Sequence, residues 1–225
     1  MIWKIYHGSK SIIQKPVFGF GSVFNDYGLG FYCTNSIDMA KEWGVSEYRN
    51  GYANIYDIQT DGLTILDLNS KDLCILHWLT VLLKNRTFEE SSVLAHEAKE
   101  YLLSTFLIDY SAADIIIGYR ADDSYFSFAE DFINGTISYR QLGNAMRLGK
   151  LGQQIVLKSE EAFNRIVFKG YEVALCDEWY EKKIRRDTDA RKQYFDVERN
   201  RRQKGDLYIT SILDEEMKPD DPRLR

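Results

Sequence analysis

Three prolines and three cysteines are all that 225 residues contain of either kind. Cys33, Cys74 and Cys176 are widely spaced and odd in number, which argues against a disulfide framework and leaves no pair at metal-binding spacing. A reducing, cytoplasmic setting is the expectation that follows. The first residues hold no basic stretch leading into an apolar run, so no secretory signal is expected. No apolar run approaches the length needed to cross a bilayer, which predicts no membrane association. A general basic excess is missing too: the net charge is −5, unlike a protein that coats nucleic acid. The one local exception is 181–204, where ten Lys and Arg face five Asp and Glu. Most segments of this kind are solvated, salt-bridged helices. Because Tyr194 and Phe195 interleave with the cations, the alternative is an arm that docks an acidic partner or nucleic acid.

What is present suffices for a full core. Hydrophobic residues make up 44% of the chain and aromatic residues 14%, which suits a sheet covered by helices. Alternation of Ile2, Lys4 and Tyr6 against Trp3 and Ile5 predicts a first strand with His7 at its end. Strands are also expected over 52–59 and 63–68, joined by a hairpin-type turn at Thr60-Asp61-Gly62. Further strands are expected over 113–118, 153–157 and 165–175. Helices are expected over 37–46 after a Ser36 cap, from a Ser70 cap into Asn85-Arg86, over 92–106, 123–132, 138–148 and 160–164, and through the charged tail to Gly205. Clustered rather than alternating strands and helices read as α+β. A domain over 1–175 followed by a charged helical extension over 176–225 is the expected organisation.

The chain is arranged around two stretches. Tyr6-His7-Gly8-Ser9 ends the first strand, and Asp26-Tyr27-Gly28-Leu29-Gly30 is a glycine loop feeding the strand Phe31-Tyr32-Cys33-Thr34. Asn85-Arg86, Asp114 to Gly118, Ala121-Asp122-Asp123 and Gln154 follow in order. Together these motifs resemble the ADP-ribosyltransferase superfamily in its His–Tyr branch. Within it, they resemble an uncharacterised bacterial family, from residue 1 to about residue 170.

The resemblance implies two packed antiparallel sheets with flanking helices and a cleft between them for NAD, which is a substrate, with no metal. It implies transfer of one ADP-ribose to a macromolecular acceptor, protein or nucleic acid, and suggests a toxin or defence effector held in check by an inhibitor or antitoxin. His7, Gly8 and Ser9 would position the dinucleotide, with Gly30, Phe31 and Arg86 also at the cofactor. Tyr32 would stack on the nicotinamide, and whichever of Phe31 and Tyr32 faces the cleft takes that role. Gln154 stands where the best-known enzymes carry a Glu that supports the oxocarbenium-like transition state; it can meet a ribose hydroxyl but offers no charge. Asp123 would act as base toward the acceptor.

Each residue has an ordinary reading beside this one. His7 can be a strand-end histidine satisfied by a carbonyl, Gln154 a strand glutamine on a solvated face, and Asp123 a helix cap. Arg86 can be a cation meeting a helix C-terminus. His77 and His96 read as structural. Two further classes stay open: a sensor that binds NAD or ADP-ribose without consuming it, and an interaction protein with a vestigial cleft.

Overall fold

The structure is a computed structural model that describes residues 1–90, 92–121, 123–150 and 152–225, without the side chains of 123 and 124. Strand β1 (Ile2–Ser9) leads through a long loop to β2 (Phe31–Thr34), α1 (Ile37–Gly44) and β3 (Gly51–Gln59). Then come β4 (Ile65–Asp67), α2 (Ile75–Asn85), α3 (Val93–Phe106), β5 (Ile115–Gly118), α4 (Asp123–Ile133) and α5 (Tyr139–Ala145). β6 (Gln154–Leu157), α6 (Glu160–Asn164), β7 (Ile166–Ala174), α7 (Cys176–Gln193) and α8 (Ile209–Asp214) complete the chain.

All the named strands belong to one seven-stranded sheet in the order β4-β5-β6-β2-β1-β3-β7. This corrects the expectation of two packed antiparallel sheets. The sheet is mixed, because β4 runs parallel to β5 while the other neighbours are antiparallel. It is nonetheless nearly divided. β1 and β2 share a single register pair, Tyr6 with Thr34, whereas β1 pairs with β3 along its whole length from Ile2 to Ser9. That one rung joins two half-sheets.

The strands bury alternate residues on opposite faces, as a pleat requires. Ile116 and Val156 join a large cluster with α2, α3, α4 and α5, centred on Trp78, Phe106, Phe128 and Phe132. Ile115, Ile117, Ile155 and Leu157 face a smaller cluster with Ile5, Phe31, Cys33, Tyr56 and Ile58. The C-terminal segment is part of the large cluster, to which it gives Ala190, Tyr194, Ile209, Ile212, Met217 and Leu224. Tyr194 stacks on Phe128 with ring centroids 3.8 Å apart. Residues 176–225 differ from the rest in composition, yet they share its core.

Two local expectations are corrected. The turn at 60–62 forms, with Leu63 N–H donating to Thr60 C=O, but it does not close a hairpin. β3 and β4 lie five places apart in the sheet order, because the chain crosses to the far edge, where Asp114 Oδ2 accepts from Thr64 N–H at 2.8 Å. Helix α2 starts after Cys74 rather than Ser70, and His77 Nδ1 accepts from Cys74 N–H at 3.1 Å. Ser36 and Ser92 do cap α1 and α3, through bonds from Met39 N–H and Ala95 N–H.

Candidate functional site

A cleft of about 840 Å³ opens where the β1–β2 ladder stops. His7, Gly8, Gly30, Phe31, Tyr32, Arg86 and Gln154 all line it, so residues far apart in sequence meet in one place. Ser9 does not line it. Ser9 Oγ instead donates to the Ser11 carbonyl at 2.5 Å and accepts from Asn54 Nδ2 at 3.0 Å. Asn54 is fully buried and also accepts from Ile13 N–H at 2.8 Å, so this pair pins the loop that leaves β1. Asp122 and the side chain of Asp123 lie outside the described residues.

His7 spans the gap between the half-sheets. Its Nδ1 donates to the Tyr32 carbonyl at 2.7 Å, which fixes the tautomer and leaves Nε2 as an acceptor. Were the ladder to continue, that carbonyl would face Gly8, so the imidazole satisfies a group the strands leave open. The His7 ring stacks on Phe31 with centroids 4.4 Å apart. Burial lowers the His7 pKa, outweighing the hydrogen bond to Tyr32, so the ring is neutral near pH 7.

Gly8 is required by the helix behind it. A Cβ there would stand 2.0 Å from the Ala40 carbonyl oxygen and 2.8 Å from the Gly44 nitrogen. Gly8→Ala should therefore force α1 off β1 and lower stability by about 1–3 kcal/mol. An unchanged urea midpoint would show that α1 does not press on β1 at this point.

The glycine loop is tied down from three sides. Tyr32 Oη donates to the Gly28 carbonyl at 2.5 Å and accepts from Tyr27 N–H at 3.1 Å. Lys158 Nζ donates to the Tyr27 carbonyl at 2.5 Å and to that of Leu29. Asp26, 5% exposed, accepts from Ala121 N–H at 2.9 Å and lies 3.3 Å from Arg86. Gly30 lets the loop pass β6, since a Cβ would meet Val156 Cγ1 at 2.7 Å and the Leu157 carbonyl at 2.8 Å. Burial raises the Tyr32 pKa beyond any physiological pH, so its hydroxyl is a fixed donor.

Phe31 and Tyr32 divide their work by face. Phe31 is 8% exposed and belongs to the smaller cluster, while Tyr32 is half-buried against the large one. Gln154 lies opposite Thr34, two residues along from the Tyr32–Val156 pair, and so shares the face of Tyr32. Gln154 is 6% exposed, and its Oε1 is buried without a hydrogen-bond partner among the described residues. Trp43 Nε1, also at the cleft, has none among them either. The Arg120 guanidinium stacks on the Trp43 ring at 4.1 Å.

Among the described residues, cations outnumber anions in the lining. Lys15, Arg86, Arg120, Lys183 and Arg191 face it, against Asp26 and Asp187. Of these, only Arg86 stood out in the sequence as a site residue. Lys183, Asp187 and Arg191 come from α7, which reads as a charged helix with no visible tie to the N-terminal motifs. Asp26 was visible as the opening residue of the glycine loop, but nothing local indicated its pairing with Arg86. Among the described residues, no group of three or more His, Cys, Asp or Glu is placed to hold a metal, and no helix is long and apolar enough to cross a membrane.

The family model described as "Protein of unknown function (DUF3990)" matches residues 3–168 of the 225, and the chain belongs to that family. No curated protein and no solved structure matches it.

Proposed function

We propose that this member of the family binds NAD in the cleft between β1 and β2 and transfers a single ADP-ribose from it to a macromolecular acceptor. The observation that carries the reading is the buried Oε1 of Gln154, which has no partner among the described residues, in a cleft shared with His7 and Tyr32. An unsatisfied buried amide oxygen costs about 1–3 kcal/mol, which a ribose hydroxyl would recover. A hydroxyl both donates and accepts, so it suits either orientation of the amide.

In the proposed reaction the bond between nicotinamide and the ribose C1′ breaks, and its electron pair leaves with nicotinamide. The acceptor's nucleophile bonds C1′ and loses its proton, for which Asp123 is the proposed base. His7 Nε2 would accept from a ribose hydroxyl, and the flat face of Tyr32 would cover the nicotinamide ring. Gln154 would hold the nicotinamide ribose while contributing only a dipole to the developing positive charge, where a carboxylate would stabilise it more strongly. Slow transfer of one unit fits that chemistry better than polymer formation.

The same glutamine favours a second reading, a module that holds NAD without consuming it. Calorimetry with NAD, followed by mass detection of nicotinamide, separates the two. Gln154→Ala should lower nicotinamide release about tenfold, and Gln154→Glu should keep binding while raising release. Tight NAD binding with no release by the native protein would leave the non-catalytic reading. Absence of NAD binding would sink both.

A further inference from the structure

Helix α7 places Lys183, Asp187 and Arg191 four residues apart, and all three line the cleft. Four-residue spacing sets them in one stripe along the helix. The helix is anchored along the flank of that stripe. Trp179 packs with Val45 and Ala174, Arg186 Nε meets Glu42 Oε2 at 2.7 Å, and Ala190 and Tyr194 enter the large cluster. A wall held at so many points can present its cations in fixed positions.

Two cations of the opposite wall, Arg86 and Arg120, are held in place by neighbours. Arg86 lies 3.3 Å from Asp26, and Arg120 is stacked on Trp43. Lys183 forms no ion pair among the described residues. Asp187, between Lys183 and Arg191, lies 2.9 Å from Arg186, a guanidinium it shares with Glu42. The backbones of Lys183 and Arg191 stand about 12 Å apart along the axis, a gap that two long side chains can close toward one group between them.

We propose that α7 is the phosphate wall of the cleft, with Lys183 and Arg191 holding the diphosphate of a dinucleotide. This rests on the reading of the cleft as a dinucleotide site and adds which residues take its charge. It also places part of the ligand site beyond the residues matched by the family model, which end at 168.

The test is calorimetry on the full chain with three probes: NAD, ADP and inorganic pyrophosphate. Lys183→Gln, Arg191→Gln and their double variant are compared with Lys192→Gln, a control at an exposed position of the same helix. Each single change at the stripe should weaken all three probes about tenfold and the double change about a hundredfold, with melting temperatures close to native and the control unaffected. Lys183→Gln carries the test if Arg191→Gln perturbs the fold. Native-like binding in the stripe variants would overturn the proposal and leave the NAD reading standing. Equal loss in the Lys192→Gln control would overturn it too, by showing only a general charge effect. Stripe-dependent binding of ADP and pyrophosphate without NAD binding would support the phosphate wall and sink the NAD reading. A native protein that binds none of the three overturns both.

Discussion

Deleting residues 176–225 is expected to yield a chain that does not fold. The segment is strongly charged at its start, and a reading by composition would let it be removed. Yet Ala190, Tyr194, Ile209, Ile212, Met217 and Leu224 are each no more than 3% exposed within the large cluster. Truncating one large buried side chain costs about 2–5 kcal/mol. Losing Tyr194, Ile209, Ile212, Met217 and Leu224 together, at about 10–25 kcal/mol, matches or exceeds the roughly 5–15 kcal/mol by which a whole domain is stable. Phe128 would lose its stacking partner, and the Tyr101 hydroxyl its bond to the Met217 carbonyl at 2.8 Å. Circular dichroism and thermal melting of residues 1–175 give the answer. A cooperative melt with native helix content would show that the segment is only an appendage, contrary to the packing.

Glu42→Ala is expected to be the most damaging single change outside the apolar core. Glu42 and Arg186 are 7% and 12% exposed and lie 2.7 Å apart, joining α1 to α7. Removing one member of a buried pair costs about 3–5 kcal/mol, because the other charge stays desolvated. Asp187, 2.9 Å from the same guanidinium, should hold the loss near 3 kcal/mol. Glu42→Gln keeps a hydrogen bond and should cost about half as much. Adding Arg186→Met to Glu42→Ala should restore stability, since the stranded charge is then gone. Urea unfolding of the four proteins tests that order. A Glu42→Ala variant within about 0.5 kcal/mol of native would mean the pair is solvated and does not fasten α7.

Much of the fold could be read from local chemistry, and its failures share one cause. The strand 115–118 announces itself as an apolar run, and α1 and α3 by their serine caps. The motifs around His7, Tyr32 and Gln154 stand out through their family resemblance, and strand periodicity adds only which neighbours share a face. The Asp61-Gly62 turn is equally visible, but a turn does not reveal where the chain goes next. β4 pairs with β5 because Thr64 is held by Asp114, a contact fifty residues away. Ser70 is the visible cap, but the helix starts after Cys74, whose amide is met by His77, an interaction no propensity scale records. Helix α8 went unread because Tyr208 precedes it without a side-chain cap. The cleft was half legible for the same reason. Its N-terminal wall is made of motif residues, while its α7 wall depends on Trp179, Ala190 and Tyr194, too widely spaced in a polar helix to signal burial.

The single Tyr6–Thr34 rung has a mechanical consequence. A continuous sheet resists bending because every neighbouring pair of strands shares several hydrogen bonds, and its stiffness is then nearly uniform. Here the compliance is concentrated at one line, with β1-β3-β7 on one side and β2-β6-β5-β4 on the other. His7 reaches across that line to the Tyr32 carbonyl, acting as a brace between two plates. Anything seated against His7 on one plate and Tyr32 and Gln154 on the other would add a second brace. Occupancy of the cleft and rigidity of the whole sheet would then rise together.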